Sequence, residues 1–252
     1  MEQAGPILAR CAEPAAQGEI APRGTPPERF ANRHLKIASI PAMIHEMMPV
    51  GVLQCNCSIF GDETTREAVV IDPGDEIDRI QAVLLRHGLT VKWIVITHAH
   101  IDHIGGAGKL QALTGAPVYM NEADYALVKG LATQASWLGM PEPQPVSIDV
   151  GLRDGDRLNM AGANFDVLHT PGHTQGSVCL LLADQNKLIA GDTLFYDSIG
   201  RTDLPGGDYT QILRSIKTKL LALDDETKVI CGHGQTTTIG RERMHNYFVS
   251  NL

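Results

Sequence analysis

From about Pro41 onward, short apolar runs alternate with segments whose apolar residues recur at helical spacing. Apolar runs that stop at turn residues predict strands over 68–71, 91–97, 164–168, 177–182, 187–190 and 228–230. Apolar residues three and four apart predict helices over 76–87, with Gly88 as its C-cap, and over 106–113, 122–131, 209–223 and 241–249. Strands and helices without strict alternation leave the α/β and α+β classes both open.

The first forty residues show neither of these periods. Five prolines interrupt them: Pro6, Pro14, Pro22, Pro26 and Pro27. Four glutamates argue against a mitochondrial transit peptide, and no apolar segment follows a basic start. We therefore predict a flexible N-terminal extension over residues 1–40 and a single domain over 41–252.

Composition narrows the functional classes. The chain has 252 residues, 43% of them hydrophobic, and a formal net charge of -8, which argues against sequence-independent binding of nucleic acid. No apolar run is long enough for a membrane span. Five scattered cysteines favour a reducing compartment, so we predict a cytoplasmic protein. The expected partner is a small molecule, with no nucleic acid and no membrane, and the oligomeric state stays open.

The segment THAHIDHIGG, residues 97–106, places three imidazoles and a carboxylate within six residues. His98 and His100 point to one side of an extended strand end because they are two residues apart. Asp102 and His103 then arrive at the start of a helix. Nitrogen and oxygen donors this close together indicate a site for a divalent cation. The cation also removes the repulsion between these side chains.

Three further donors follow predicted strands, each preceded by glycine. They are His173, Asp192 and His233. Two cations that share a carboxylate lower the pKa of a water molecule to near neutrality, so hydrolysis would need no serine or cysteine nucleophile.

From about Cys55 to the C-terminus, the order HxHxDH, GH, GD, GH resembles the metallo-β-lactamase fold superfamily. The resemblance implies a four-layered αβ/βα sandwich with two metal ions at one edge, between the sheets. It implies one ion on His98, His100 and His173, a second on Asp102, His103 and His233, and Asp192 bridging them. Asp102 would also be catalytic, steering the attacking water. We expect zinc, although this donor set also accepts iron or manganese.

Within the superfamily, the sequence is most similar to short, single-domain glyoxalase II-like (hydroxyacylglutathione hydrolase-like) thioester hydrolases. The shared stretches are GDTLF at 191–195, GRTDLP at 200–205 and CGHG at 231–234. The resemblance implies cleavage of S-lactoylglutathione into lactate and glutathione. Arg201 matches a position that contacts the glutathione carboxylate, and a structural salt bridge is its alternative role. The basic C-terminal helical domain that grips glutathione in two-domain members has no counterpart after His233.

Other interpretations of the same residues remain. Persulfide dioxygenases of this fold share the GRTD stretch but use a single iron, and a lactone or other ester hydrolase is a further alternative. β-Lactamases proper are expected to resemble the chain poorly, because they lack an aspartate matching Asp192. The remaining histidines match no ligand position and are expected to be structural: His34, His45, His87, His169 and His245. Cys55 and Cys57 are expected to pack in the core.

Overall fold

Two six-stranded sheets form the centre of the computed structural model, which describes residues 43–252. The extension predicted over residues 1–40 lies outside the described residues. The first sheet contains, in order, β1 (Met43–Val50), β2 (Cys55–Asp62), β3 (Glu67–Ile71), β4 (Thr90–Val95), β5 (Val118–Met120) and β6 (Val150–Gly151). β1, β2 and β3 pair antiparallel, and β3 to β6 are parallel.

The second sheet has the order β14-β13-β10-β9-β8-β7. Its strands are β7 (Arg157–Met160), β8 (Ala163–His169), β9 (Val178–Leu182), β10 (Lys187–Gly191), β13 (Lys228–Cys231) and β14 (Thr237–Thr238). Only β10 and β13 pair in parallel. A separate hairpin joins β11 (Leu194–Phe195) to β12 (Ser198–Ile199).

Seven α-helices complete the described part of the chain. They are α1 (Ile77–His87), α2 (Ile101–Ile104), α3 (Ala107–Thr114), α4 (Tyr125–Lys129), α5 (Leu131–Leu138), α6 (Tyr209–Ser215) and α7 (Ile239–His245). Gly88 caps α1 in the left-handed conformation, as predicted. No helix among residues 43–252 is long and apolar enough to cross a membrane.

Three apolar clusters define four layers. Alternate residues of one strand enter different clusters: in β10, Leu188 and Ala190 pack against α6 and α7, whereas Ile189 faces the other sheet. The middle cluster joins the two sheets, with Phe60 from the first and Phe165 from the second in an edge-to-face contact, centroids 5.4 Å apart. The third cluster packs α1, α2, α3 and α5 on the first sheet. The predicted four-layered αβ/βα sandwich is confirmed.

Two predicted helices differ from the observed ones. The helix predicted over 122–131 is confirmed only in part: Glu122–Asp124 form a 3-10 turn, α4 follows, and the helix is interrupted at Gly130 before α5 begins. The helix predicted over 209–223 changes from α6 into a π-helical turn over Ile216–Leu220. β1 and β2 were not predicted, because β2 is buried along both faces and includes Asn56 and Ser58, so no period of two is visible.

Candidate metal centre

All seven predicted donors meet at one edge of the sandwich, where strands end. The loop after β4 carries His98 and His100, and α2 carries Asp102 and His103. The loops that follow β8, β10 and β13 supply the other donors: His173, Asp192 and His233. Chain positions more than a hundred residues apart thus share one site.

Three imidazoles form the first cluster. His173 Nε2 lies 2.9 Å from His100 Nδ1 and 3.2 Å from His98 Nε2. Nitrogen ligands about 2.0–2.1 Å from a tetrahedral ion stand roughly 3.3 Å apart, which is close to this spacing. The cluster fits a divalent cation.

Asp102, His103 and His233 form the second cluster. His233 Nε2 lies 3.1 Å from Asp102 Oδ2 and 3.3 Å from His103 Nε2, and His103 Nε2 is 3.7 Å from Asp102 Oδ2. One carboxylate and two imidazoles at these distances also suit a divalent cation.

Asp192 lies between the two clusters. Its Oδ2 is 3.6 Å from His173 Nε2 and 3.6 Å from His233 Nε2, so one carboxylate faces both sets. Its Oδ1 is buried and has no hydrogen-bond partner among residues 43–252, and His103 Nε2 lies 3.4 Å from it. A buried carboxylate oxygen without a donor is costly, and a bound cation would satisfy it.

Burial and the neighbouring charges shift the pKa values of these ligands in different directions. Burial, together with the neighbouring imidazoles, lowers the pKa of His98 well below its ordinary value and the pKa of His100 to about 4. For Asp102, burial opposes ionisation, but His103 and His233 outweigh it and hold the carboxyl pKa below its usual range. His98 and His100 therefore offer neutral nitrogens, and Asp102 offers a carboxylate. For His103 and His233, burial opposes protonation, but the acidic groups around them outweigh it and raise the pKa above the ordinary value. A cation bound by these two rings would therefore displace a proton.

Asp72, at the end of β3, orients His103. Its buried carboxylate accepts hydrogen bonds from Thr97 N (2.7 Å), Thr97 Oγ1 (2.7 Å) and His103 Nδ1 (2.9 Å). The last bond leaves His103 Nε2 free to face the site. Asp72 has a φ of +52°, in the left-handed region where Asp and Asn are enriched. No local sequence pattern indicates this role of Asp72, although the DPG turn at 72–74 marks the end of the strand.

The other ring nitrogens of three ligands also have oxygen partners. His98 Nδ1 is 3.1 Å from Thr97 Oγ1, and His173 Nδ1 is 2.8 Å from the Arg201 carbonyl oxygen. His233 Nδ1 lies 2.9 Å from the Leu53 carbonyl oxygen. These contacts fix the ring orientations before any ion binds.

Cys55 lies behind the second cluster. Its Sγ is 3.4 Å from His103 Nδ1, and burial raises the pKa of the thiol to about 12, so it stays protonated. It is fully buried, as predicted, but it also contacts a ligand, which the sequence did not indicate. Cys57, Cys179 and Cys231 are buried and unpaired as well.

A second buried carboxylate, Asp124, ties two ligand loops together. It accepts hydrogen bonds from Ala99 N (3.0 Å), Gly176 N (2.7 Å) and Thr174 Oγ1 (2.8 Å). Ala99 stands between His98 and His100, and Thr174 follows His173. Asp124 therefore fixes the relative positions of the two loops that carry the three imidazoles of the first cluster.

Glycine is required beside Asp192. A Cβ atom at Gly232 would collide with Asp192 Oδ1 and lie 2.9 Å from His103 Cε1. Only a residue without a side chain lets the backbone just after β13 pass this close to the candidate ligands.

Arg201 lies on the wall of the cavity that adjoins the cluster, which has a volume of about 670 Å³. Its guanidinium is exposed and forms two hydrogen bonds with the Asp203 carboxylate, both 2.8 Å. Among the other histidines, His34 lies outside the described residues. The rest stand apart from the cluster: His45, His87, His169 and His245.

Comparison with known proteins places this geometry in a family. A family model described as the metallo-beta-lactamase superfamily matches residues 50–233. The chain belongs to the metallo-β-lactamase superfamily. Its members with a named activity include the hydroxyacylglutathione hydrolase GloC of Haemophilus influenzae, 39% identical over 213 residues that cover 82% of this chain and 98% of that protein.

Solved structures of metallo-β-lactamase superfamily proteins show the same fold. TTHA1623 in a di-iron-bound form is 38% identical, with a TM-score of 0.74 over 81% of this chain and all of that one. ETHE1 from Myxococcus xanthus is 31% identical, with a TM-score of 0.69 over 82% and 85%. The BLEG-1 B3 metallo-β-lactamase is 37% identical, with a TM-score of 0.77 over 82% and 100%. The expected poor resemblance to β-lactamases is therefore wrong for this one.

Proposed function

We propose that this protein is a binuclear metallohydrolase that cleaves thioesters of the S-lactoylglutathione type. The observation that carries the proposal is the pair of ligand clusters on either side of Asp192, whose buried Oδ1 accepts no hydrogen bond from the described part of the chain. The 39% identical hydroxyacylglutathione hydrolase supports thioester cleavage within the metallohydrolase family.

Under this proposal, the ligands divide as their distances suggest. His98, His100 and His173 would hold one ion, and Asp102, His103 and His233 would hold the other, with the Asp192 carboxylate within reach of both ligand sets. When bound, two such ions lower the pKa of a water molecule and polarise a carbonyl oxygen. We expect zinc, and the di-iron-bound form of TTHA1623 supports iron as the alternative metal.

The remaining chemistry belongs to the side chains. Asp102, ionised and on the cavity wall, accepts a hydrogen bond from the attacking water and orients it towards the acyl carbon. The water oxygen forms a bond to the acyl carbon and the carbon–sulfur bond breaks. One proton of that water goes to the departing sulfur, so the products are a carboxylic acid and a thiol. Arg201, once released from Asp203, would bind a carboxylate of glutathione.

The test is thiol release from S-D-lactoylglutathione by protein loaded with zinc, iron or manganese, with bound metal counted by mass spectrometry. We expect two ions per chain and metal-dependent release. Asp192→Ala should lose both, whereas Asp184→Ala, an exposed aspartate outside the site, should lose neither. Two ions and full turnover in Asp192→Ala would contradict the binuclear site.

A mono-iron oxidoreductase of the persulfide dioxygenase type is the second candidate. The GRTD stretch at 200–203, which persulfide dioxygenases of this fold share, supports it. The intact second cluster of Asp102, His103 and His233 favours hydrolysis instead, because a single iron would leave these donors unused. One iron per chain with oxygen uptake on glutathione persulfide would select this alternative.

A further inference from the structure

The cavity beside the metal cluster has a predominantly apolar wall next to the ligands. It is formed by Leu53, Leu127, Trp137, Leu138, Phe195 and Leu204. Three of these side chains are well exposed: Trp137 at 68%, Leu138 at 48% and Leu53 at 42%. Large apolar side chains gathered at an open cavity mark a surface that a ligand covers.

Helix α5 supplies the centre of this wall because its two faces differ. Leu131 and Ala135, one turn apart, are buried in the core against the first sheet. Trp137 and Leu138 instead line the cavity. The core contacts fix the helix, so the apolar side chains keep a defined direction towards the site.

Gln134 fastens the same helix to the metal cluster. Its Oε1 accepts from Ile101 N (3.0 Å), and its Nε2 donates to the carbonyl oxygens of Ala99 and Leu127 (both 3.2 Å). Ala99 and Ile101 flank His100. The amide of Gln134 is therefore engaged with the backbone, and the apolar wall is held at a fixed place relative to the ligands.

The charged residues that line the cavity also favour an uncharged ligand. Among the described residues that line the cavity, Arg201 is the only lysine or arginine, and Asp203 already neutralises it through two hydrogen bonds. Glutathione is an anionic tripeptide with two carboxylates. In this cavity, the glutathione carboxylates would lose hydration beside apolar side chains. They would gain few ion pairs or hydrogen bonds in return.

We propose that the group of the substrate that lies along α5 is uncharged and apolar, so that this enzyme prefers thioesters with an aliphatic or aromatic group to S-lactoylglutathione. The inference rests on the proposed thioester hydrolysis: S-lactoylglutathione would still be cleaved, with Arg201 available to one of its carboxylates, but less efficiently than thioesters with an apolar group. The apolar group can be the acyl group or the thiol, and substrates that differ in this respect separate the two cases.

The experiment compares kcat/KM of metal-loaded protein for three thioesters, followed by thiol release. S-D-lactoylglutathione is the reference, S-phenylacetyl-N-acetylcysteamine carries an apolar acyl group, and the benzyl thioester of D-lactate carries an apolar thiol. We expect one of the apolar thioesters to exceed the reference by about tenfold or more. Trp137→Ala should reduce this preference by about tenfold.

Matched variants test the wall itself. Leu113→Ala removes an equally exposed leucine from the outside of α3 and should leave the preference unchanged. Leu138→Arg adds a cation to the wall and should shift the preference towards S-D-lactoylglutathione. A highest kcat/KM for S-D-lactoylglutathione, with a preference that Trp137→Ala does not alter, would overturn the inference.

Binding gives a readout that does not depend on turnover. By calorimetry, N-acetyl-S-phenethylcysteamine should bind at least tenfold more tightly than S-methylglutathione, and Trp137→Ala should abolish the difference. If this holds but none of the three thioesters is cleaved, the apolar recognition stands and thioester hydrolysis fails. If thioesters are cleaved but S-methylglutathione binds as tightly, hydrolysis stands and the inference fails.

Discussion

Asp72→Asn should weaken one metal site and spare the other. Asp72 is 2% exposed and accepts three hydrogen bonds, from Thr97 N, Thr97 Oγ1 and His103 Nδ1. Asn keeps the size of the side chain and tolerates the left-handed φ of +52°. Its amide nitrogen, however, would face a donor, so the contact to His103 or to the Thr97 hydroxyl is lost.

The magnitude follows from that lost contact. A hydrogen bond to a charged group contributes about 1.5–3 kcal/mol, and loss of a residue that orients a metal ligand typically costs about 10–100-fold in metal affinity. His103 belongs to the cluster with Asp102 and His233. We therefore expect about 10–100-fold weaker binding of the second ion, with little change for the first.

Competition with a chromogenic chelator, followed as metal leaves the protein, resolves the two affinities. Asp78→Asn, at an exposed position on α1, is the matched control and should release both ions as the unmodified protein does. The reasoning about His103 would be refuted by two unchanged affinities, or by equal loss of both ions in a variant that still folds.

Three further predictions follow from the structure. Gly232→Ala should lower metal content and activity at least tenfold, because its Cβ would collide with Asp192; metal analysis and thiol release measure both. Asp124→Asn should lower the free energy of unfolding in urea by about 2–3 kcal/mol, because a charged acceptor of three buried hydrogen bonds is lost. His45 should make folding sensitive to acid: burial, with Lys187 and Lys228, lowers its pKa from 6.5 to about 4. Because the unfolded chain takes up this proton first, the stability is complete above pH 6.5 and falls by about 3 kcal/mol as the pH drops to 4. His45→Gln should flatten that part of the urea-unfolding profile.

Each of these has a control on the same chain. Gly151→Ala meets no atom closer than 4.0 Å and should retain metal and activity. Asp184→Asn, at an exposed position, should leave urea unfolding unchanged. His245→Gln should keep the acid sensitivity that His45→Gln removes. Normal metal content in Gly232→Ala, unaltered unfolding in Asp124→Asn, or an unchanged pH profile in His45→Gln would each contradict the contact invoked.

Much of the framework follows from the sequence, because its signals are local. The runs at 68–71 and 187–190 stop at turn residues, and strands β3 and β10 end within one residue of the predicted positions. The spacing of His98, His100, Asp102 and His103 along one strand end and helix start depends on backbone geometry alone. The chain order of the donors was sufficient to indicate the family and its fold.

Only the tertiary structure decided which side chains surround those donors. Asp72 meets His103 and Asp124 meets Thr174 across 31 and 50 positions of the chain, and no local pattern encodes such pairings. The apolar wall is a further case: the sequence predicted one helix over 122–131, whereas the bend at Gly130 allows α5 to bury Leu131 and turn Trp137 towards the cavity. The metal-binding donors can be recognised in the sequence from residue type and short spacing. Their orientation and the shape of the cavity depend on packing between segments that are distant in the chain, and this packing exists only in the folded structure.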